Sequence, residues 1–149
     1  MKKGISLVEI LVAVSILSVF SSLSISVFSR LANTSTFEKD IGSAISFIDR
    51  AREESVTALN NVPHGVFFTR NKVGIFKTTS YSLSNLESIY SLSGKSYISH
   101  ISLSNGTTTL YFEKLTGYPS ATGTITFSLF DNSQSKIVTI YGTGVVDVQ

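Results

Sequence analysis

One acid stands alone in the apolar opening of this chain. Glu9 follows Lys2, Lys3 and Gly4, and no charged residue occurs from Ile10 to Ser29. A carboxylate in an apolar helix costs roughly 2.5–3.5 kcal/mol at mid-membrane and less near an end, so its presence calls for a cation. If the chain were cut between Gly4 and Ile5, the new amine of Ile5 would lie about one helical turn from Glu9, on its own chain or a neighbouring copy. The positive end of the helix dipole also favours an acid in that first turn. Glu9 therefore suits charge pairing with an amine at that place.

Elsewhere the residues that could do chemistry are scattered. His64 and His100 have no cysteine partners and no metal-ligand spacing; His64 is expected in a loop and His100 on a strand, neither with a metal role. No dinucleotide, P-loop or nucleophile-elbow motif occurs, and the many serines lack a paired base. The expectation is no enzyme, no catalytic residue and no cofactor. Asp131 and Asn132 offer two oxygen donors, far short of the six or more that calcium takes, and read as a turn. Gly142-Thr143-Gly144 reads as a bulge or tight bend. Val62 to Leu86 contains no acid, and there Arg70, Lys72 and Lys77 lie among Phe67, Phe68, Phe76 and Tyr81. Cations with aromatics can grip single-stranded nucleic acid. The competing reading is a hairpin whose aromatics are core and whose cations are surface.

The elements that must position these residues follow from periodicity. The twenty uncharged residues 10–29 would make a helix of roughly 30 Å, the thickness of a bilayer core. Lys2 and Lys3 before a single span place its N-terminus in the cytoplasm and the rest outside. An ordinary secretory signal with small residues at Ser21, Ser22, Ser24 and Ser26, or a plain signal anchor, are the alternatives for this stretch. After Arg30, Phe37, Ile41, Ile45, Ile48, Arg52 and Val56 recur three or four apart, with Ala44, Ala51 and Leu59 beside them. This amphipathic helix should continue the first as one rod, loosened around Ala32 to Ser35. It should end near Asn60-Asn61, before Pro63.

From His64 the period becomes that of strands. Gly65–Thr69 and Val73–Lys77 flank a turn at Arg70-Asn71-Lys72. Ser96–Leu103 and Thr107–Leu115 flank Asn105-Gly106. Gly123–Phe130, Ile137–Tyr141 and Val145–Val148 close the chain, while the Ser-rich stretch 78–94 has no clear assignment. One long helix followed by runs of strands implies an α+β fold, a helix packed on an antiparallel sheet.

Composition bounds the function further. The 149 residues include no cysteine, so an exported head of roughly 115 residues must fold on its core alone. Net charge is +2. Loss of Lys2 and Lys3 would take Lys+Arg from 12 to 10, against 10 Asp+Glu. Overall charge therefore gives no support to nucleic-acid binding.

Lys3-Gly4 followed by Ile5-Ser6-Leu7-Val8-Glu9 and an apolar helix resembles the class III signal of type IV prepilins and pseudopilins. The resemblance implies cleavage by a prepilin peptidase between Gly4 and Ile5, methylation of Ile5, and Glu9 as the glutamate used in filament assembly. Ile5 stands where phenylalanine is usual, and Ser26 where many major pilins have proline. The later residues resemble the GspH/FimT family of minor pseudopilins: Ala51 to Glu54 late in the helix, then a hairpin, Phe112, Gly117, Gly123-Thr124-Ile125, the Ile137–Tyr141 strand and Gly144. The resemblance implies a leader at 1–4, a transmembrane and assembly helix at 5–30, and an amphipathic helix with a β-sheet head at 31–149. Its partners would be the peptidase, the inner membrane and other pilins in a helical filament of a type IV pilus or type II secretion pseudopilus. The second reading is a competence-pilus subunit that contacts DNA. Some members bind DNA through arginines just after the last glycine, where this chain has Val145, Val146 and Asp147.

The cleavage reading makes a direct prediction. Gly4→Leu or Gly4→Arg should leave an uncut precursor in the membrane, because the peptidase needs close backbone approach there. Mass spectrometry of the membrane fraction checks it, and mature-length product from either variant contradicts it.

Overall fold

The computed structural model describes residues 6–149, those at 22–30 without their side chains. Gly4 and Ile5 lie outside the described residues. The chain divides into two units, Met1–Ser35 and Thr36–Gln149, and helix α1 (Leu7–Val56) runs through both.

In the first unit, every large apolar side chain described from Leu7 to Phe20 is more than half exposed. The serines between them are satisfied within the helix. The hydroxyls of Ser15, Ser18 and Ser21 donate to the carbonyls of Leu11, Val14 and Leu17 at 2.7–2.8 Å. A hydroxyl bonded back one turn needs no water, so these serines are compatible with an apolar medium. Among the described residues, no helix is long and apolar enough to cross a membrane. Described side chains of the expected span stop at Ser21, so the apolar stretch from Leu7 covers roughly 22 Å at 1.5 Å per residue, against about 30 Å for a bilayer core. The remainder of that expected span lies outside the described side chains.

In the second unit, α1 buries Phe37, Ile41, Ala44, Ile48, Ala51 and Ser55, a stripe with spacings of three and four. The periodicity also pointed to Ile45, Arg52 and Val56. Ile45 is only partly buried, and Val56 is 38% exposed. The stripe instead includes two alanines, Ala44 and Ala51, both fully buried.

The helix stops at Val56, before the expected Asn60-Asn61 end. Those asparagines are left-handed as anticipated, with φ of 56° and 57°, but Ala58 already is too, at 50°. Tertiary contacts take over at Ser55. Its carbonyl accepts the Leu115 N–H at 3.0 Å, and its hydroxyl accepts the His64 N–H at 2.8 Å. The backbone is thereby drawn out of the helix and into the first strand.

Eight strands follow: β1 (His64–Thr69), β2 (Lys72–Lys77), β3 (Leu86–Ser91), β4 (Ser96–Leu103), β5 (Thr109–Phe112), β6 (Gly123–Leu129), β7 (Ser135–Ile140) and β8 (Val146–Val148). They form two antiparallel four-stranded sheets, ordered β3-β2-β1-β5 and β4-β6-β7-β8. The class is α+β, with the helix packed against both sheets rather than one. β3 lies in the Ser-rich stretch that the sequence left unassigned. Nor do β4 and β5 pair across Asn105-Gly106: β4 pairs with β6 and β5 with β1. The Asn105 side chain instead holds the connection, accepting from Thr107 N–H and donating to the Thr109 carbonyl. The core joins Val66, Phe68, Ile75 and Phe112 of the first sheet to Ile98, Ile125, Phe127 and Val138 of the second, with the α1 stripe.

Asp40, on the same helix, is fully buried. Its carboxylate accepts hydrogen bonds from Tyr90 Oη at 2.7 Å, from the Ser93 N–H and hydroxyl at 3.1 and 2.7 Å, and from the Ser96 hydroxyl. Helix, β3 and the start of β4 are thus tied at one carboxylate. Burial pushes the carboxyl pKa up, but the bonds from Ser93, Ser96 and Tyr90 outweigh it and hold the group below its ordinary value. A depressed folded-state pKa contributes stability above the unfolded value, near 3.9, and that stability is lost as pH falls through the folded value. Urea unfolding across pH 6 to 2 should therefore show an acid-side loss that Asp40→Asn flattens. Asp40→Ala should destabilise at neutral pH, at about 1–3 kcal/mol for each buried donor left without a partner. An unchanged acid limb in Asp40→Asn contradicts this assignment.

Candidate functional site

Glu9 lies in the first turn of α1, its N–H bonded to the Ser6 carbonyl at 3.0 Å. An acid here faces the unsatisfied N–H end of the helix, the place where its charge costs least. Its expected partner, the amine of Ile5, is outside the described residues.

Of the three cations of the acid-free stretch, Arg70 and Lys72 share the β1–β2 hairpin tip and Lys77 stands apart. Lys72 and Lys77 stand at opposite ends of β2, roughly 16 Å apart at about 3.3 Å per residue. Arg70, at the hairpin tip, lies over the Tyr97 ring with its guanidinium carbon 4.8 Å from the ring centre. The Arg70 carbonyl accepts the Ile98 N–H, and the Asn71 carbonyl that of Leu92. The tip is therefore a joint between the two sheets. Lys77 is engaged with Glu87 at 3.5 Å. The three phenylalanines pack inside the protein. Phe68 belongs to the core, while Phe67 and Phe76 lie across Gly74 and Gly65 on the facing strand. A Cβ on either glycine would come within 2.4 Å of the phenylalanine ring. Tyr81 covers both rings, at 4.5 and 5.6 Å between centroids.

Arg52 has a role that periodicity concealed. It faces two loops rather than the core. Its Nε donates to the Gly117 carbonyl at 3.4 Å and its Nη2 to that of Thr143 at 3.2 Å. Gly117 and Gly144 have φ of 69° and 79°. A Cβ on Gly144 would sit 2.6 Å from both Arg52 Nε and the Gly117 carbonyl oxygen. Arg52, Gly117 and Gly144, distant in sequence, form one clasp between helix and loops.

A second cluster lies at the end of the helix. His64 is the first residue of β1 and fully buried, not in a loop as expected. Its Nε2 faces Glu54 Oε2 of α1 at 3.8 Å and Glu87 Oε2 of β3 at 3.7 Å. Neither ring nitrogen and neither of those oxygens has a hydrogen-bond partner. The outer oxygens are occupied: Arg50 Nε donates to Glu54 Oε1 at 2.7 Å, and Lys77 Nζ lies 3.5 Å from Glu87 Oε1. The three ligand-type atoms all lie within 4.8 Å of one another. No local spacing announces this group. Glu54 reads as helix surface, and Glu87 sits in the unassigned stretch, so only strand pairing brings them to His64. His100 is an exposed residue of β4, on a strand as expected. Asp131 accepts from the N–H and hydroxyl of Ser133, which makes the anticipated turn; those bonds hold its carboxyl below the ordinary value.

Residues 1–25 match the family model described as "Prokaryotic N-terminal methylation motif". Comparison with curated proteins and with solved structures returned no match. The chain thus carries a prepilin-type signal, of the kind that pilin and pseudopilin precursors present to the processing peptidase.

The clasp gives the next prediction. Gly144→Ala should cost about 1–2 kcal/mol from the left-handed backbone alone, with the Arg52 contact added. Arg52→Ala should cost less, about 1 kcal/mol, since the Thr143 carbonyl is exposed to water and the bond to Gly117 is long at 3.4 Å. Urea midpoints of the two variants measure both effects, and a Gly144→Ala protein as stable as wild type contradicts the first.

Proposed function

We propose that this chain is a minor pilin or pseudopilin of the GspH/FimT kind. It is a structural subunit of a type IV pilus or type II secretion pseudopilus and not an enzyme. It is held in the inner membrane by residues 5–30, with its N-terminus in the cytoplasm and its head outside. Prepilin peptidase cuts after Gly4 and Ile5 is methylated. The subunit then enters a helical filament through its N-terminal helix.

The observation that carries this reading is the methylation motif at residues 1–25 continuing into a helix with Glu9 in its first turn. The exposure of the apolar side chains from Leu7 to Phe20 supports it, because such a surface needs lipid or neighbouring helices. The meeting of Arg52 with Gly117 and Gly144 supports the finer family reading, since these are among the residues on which that resemblance rests. The distance of Lys77 from Arg70 and Lys72, and the engagement of Arg70 with Tyr97 and of Lys77 with Glu87, favour the structural reading over the DNA-binding one.

Glu9 provides the test. In lipid the acid is a liability, so Glu9→Val should insert and be processed as well as wild type. In the filament the acid neutralises the methylated amine of Ile5, on its own chain or a neighbour. Leaving that amine buried and unpaired costs roughly 3–5 kcal/mol, or about two to three or more decades in the assembly equilibrium. Tagged Glu9→Val should accumulate in the membrane and be missing from sheared filaments, with Glu9→Asp intermediate. Normal incorporation of Glu9→Val would remove the basis of this assignment.

A further inference from the structure

We propose that Glu54, His64 and Glu87 form a divalent transition-metal site, with zinc as its reference ion, that clamps the end of α1 to β1 and β3. The inference concerns the head alone and does not depend on the filament reading.

Buried polar atoms in folded proteins are paired almost without exception. Here four fail together, and three of them point at the same space: His64 Nε2, Glu54 Oε2 and Glu87 Oε2. Their separations suit an ion better than a proton. An imidazolium would have to donate to oxygens 3.7 and 3.8 Å away, beyond hydrogen-bond reach. Ligand atoms about 2.1 Å from a shared tetrahedral ion lie about 3.4 Å apart; His64 Nε2 is within a few tenths of an ångström of that from each carboxylate oxygen, and all three atoms lie within 4.8 Å of one another. The outer oxygens of both carboxylates are taken up by Arg50 and Lys77. These two cations orient the carboxylates with Oε2 turned inward, as outer groups do around metal ligands. The two carboxylates offset Arg50 and Lys77, so the cluster carries no net negative charge. The donor set must therefore bind by coordination rather than by bulk attraction. One imidazole nitrogen and two carboxylate oxygens suit zinc and its neighbours, with the fourth position open to water. Three ligands fall short of calcium's oxygen cage.

Each donor comes from a different element: Glu54 from α1, His64 from β1, Glu87 from β3. An ion bound there would hold the native arrangement and not the unfolded chain, so it would stabilise the fold by an amount that rises with the logarithm of free ion above its dissociation constant. In a cysteine-free head this clamp does work a disulfide would otherwise do.

The test uses the full chain in detergent, stripped with EDTA. Zn²⁺ is titrated against a chromophoric chelator, thermal unfolding is followed with and without Zn²⁺, and Co²⁺ serves as an absorbing probe of the site. Wild type should bind one equivalent and melt at a higher temperature with Zn²⁺, and Co²⁺ should give visible absorption bands. Glu54→Gln and Glu87→Gln, close in shape to the native residues, should each bind at least about tenfold more weakly and lose the Co²⁺ bands. His100→Gln should behave as wild type. No saturable binding by wild type, or equal affinity in the Gln variants, overturns the proposal. Should a variant fail to fold, nitrogen NMR of wild-type His64 decides: a shift of Nε2 on adding Zn²⁺ supports the site, and an unmoved resonance overturns it.

Discussion

The head depends on one apolar stripe serving two sheets. Phe37, Ile41, Ala44, Ile48 and Ala51 share a core with Val66, Phe68 and Ile75 on one side and Ile98, Ile125 and Phe127 on the other. Each sheet alone would expose an apolar face, and burial of that face is the main favourable term in folding. The stripe supplies a surface that both sheets share. Ala44 and Ala51 lie fully buried within that shared core.

Around the stripe, polar groups of the helix fix what hydrophobic burial leaves undirected. Asp40 binds the end of β3 and the start of β4, Ser55 the start of β1, and Arg52 the two glycine loops. Burial is non-directional, whereas a buried carboxylate with several donors admits one arrangement. The chain has no cysteine, so these bonds carry the register that disulfides supply in many small exported domains. The cluster at Glu54, His64 and Glu87 belongs to the same set of joints, and stands apart from the others because its facing atoms are unpaired in the protein alone.

In the first unit the logic is reversed. Its apolar side chains are exposed and its serine hydroxyls are turned back on the helix, so it is suited to surroundings that the chain itself does not provide. Glu9 is the exception in that surface. Its cost in an apolar medium is lowered by its place in the first turn of the helix and would be offset further where a positive charge meets it.

What the sequence determined by itself was local. The signal at residues 3–9, the start of the amphipathic helix, the β1–β2 hairpin, the left-handed asparagines and the Asp131 turn all follow from neighbours within a few residues, where periodicity and turn chemistry act directly. The α+β class followed from the order of those elements. Tertiary structure alone decided the division into two sheets, the crossing of the chain from β4 to β5, and the existence of β3, because strand pairing is set by partners far away in sequence. It also decided which helical positions form the core. The periodicity admitted both Ala51 and Arg52, and the approach of Gly117 and Gly144 gave Arg52 to the loops. His64 shows the limit most clearly. Its two facing carboxylates come from a helix and a strand on either side of it in the chain, and no spacing rule joins residues 54, 64 and 87 before the sheet does.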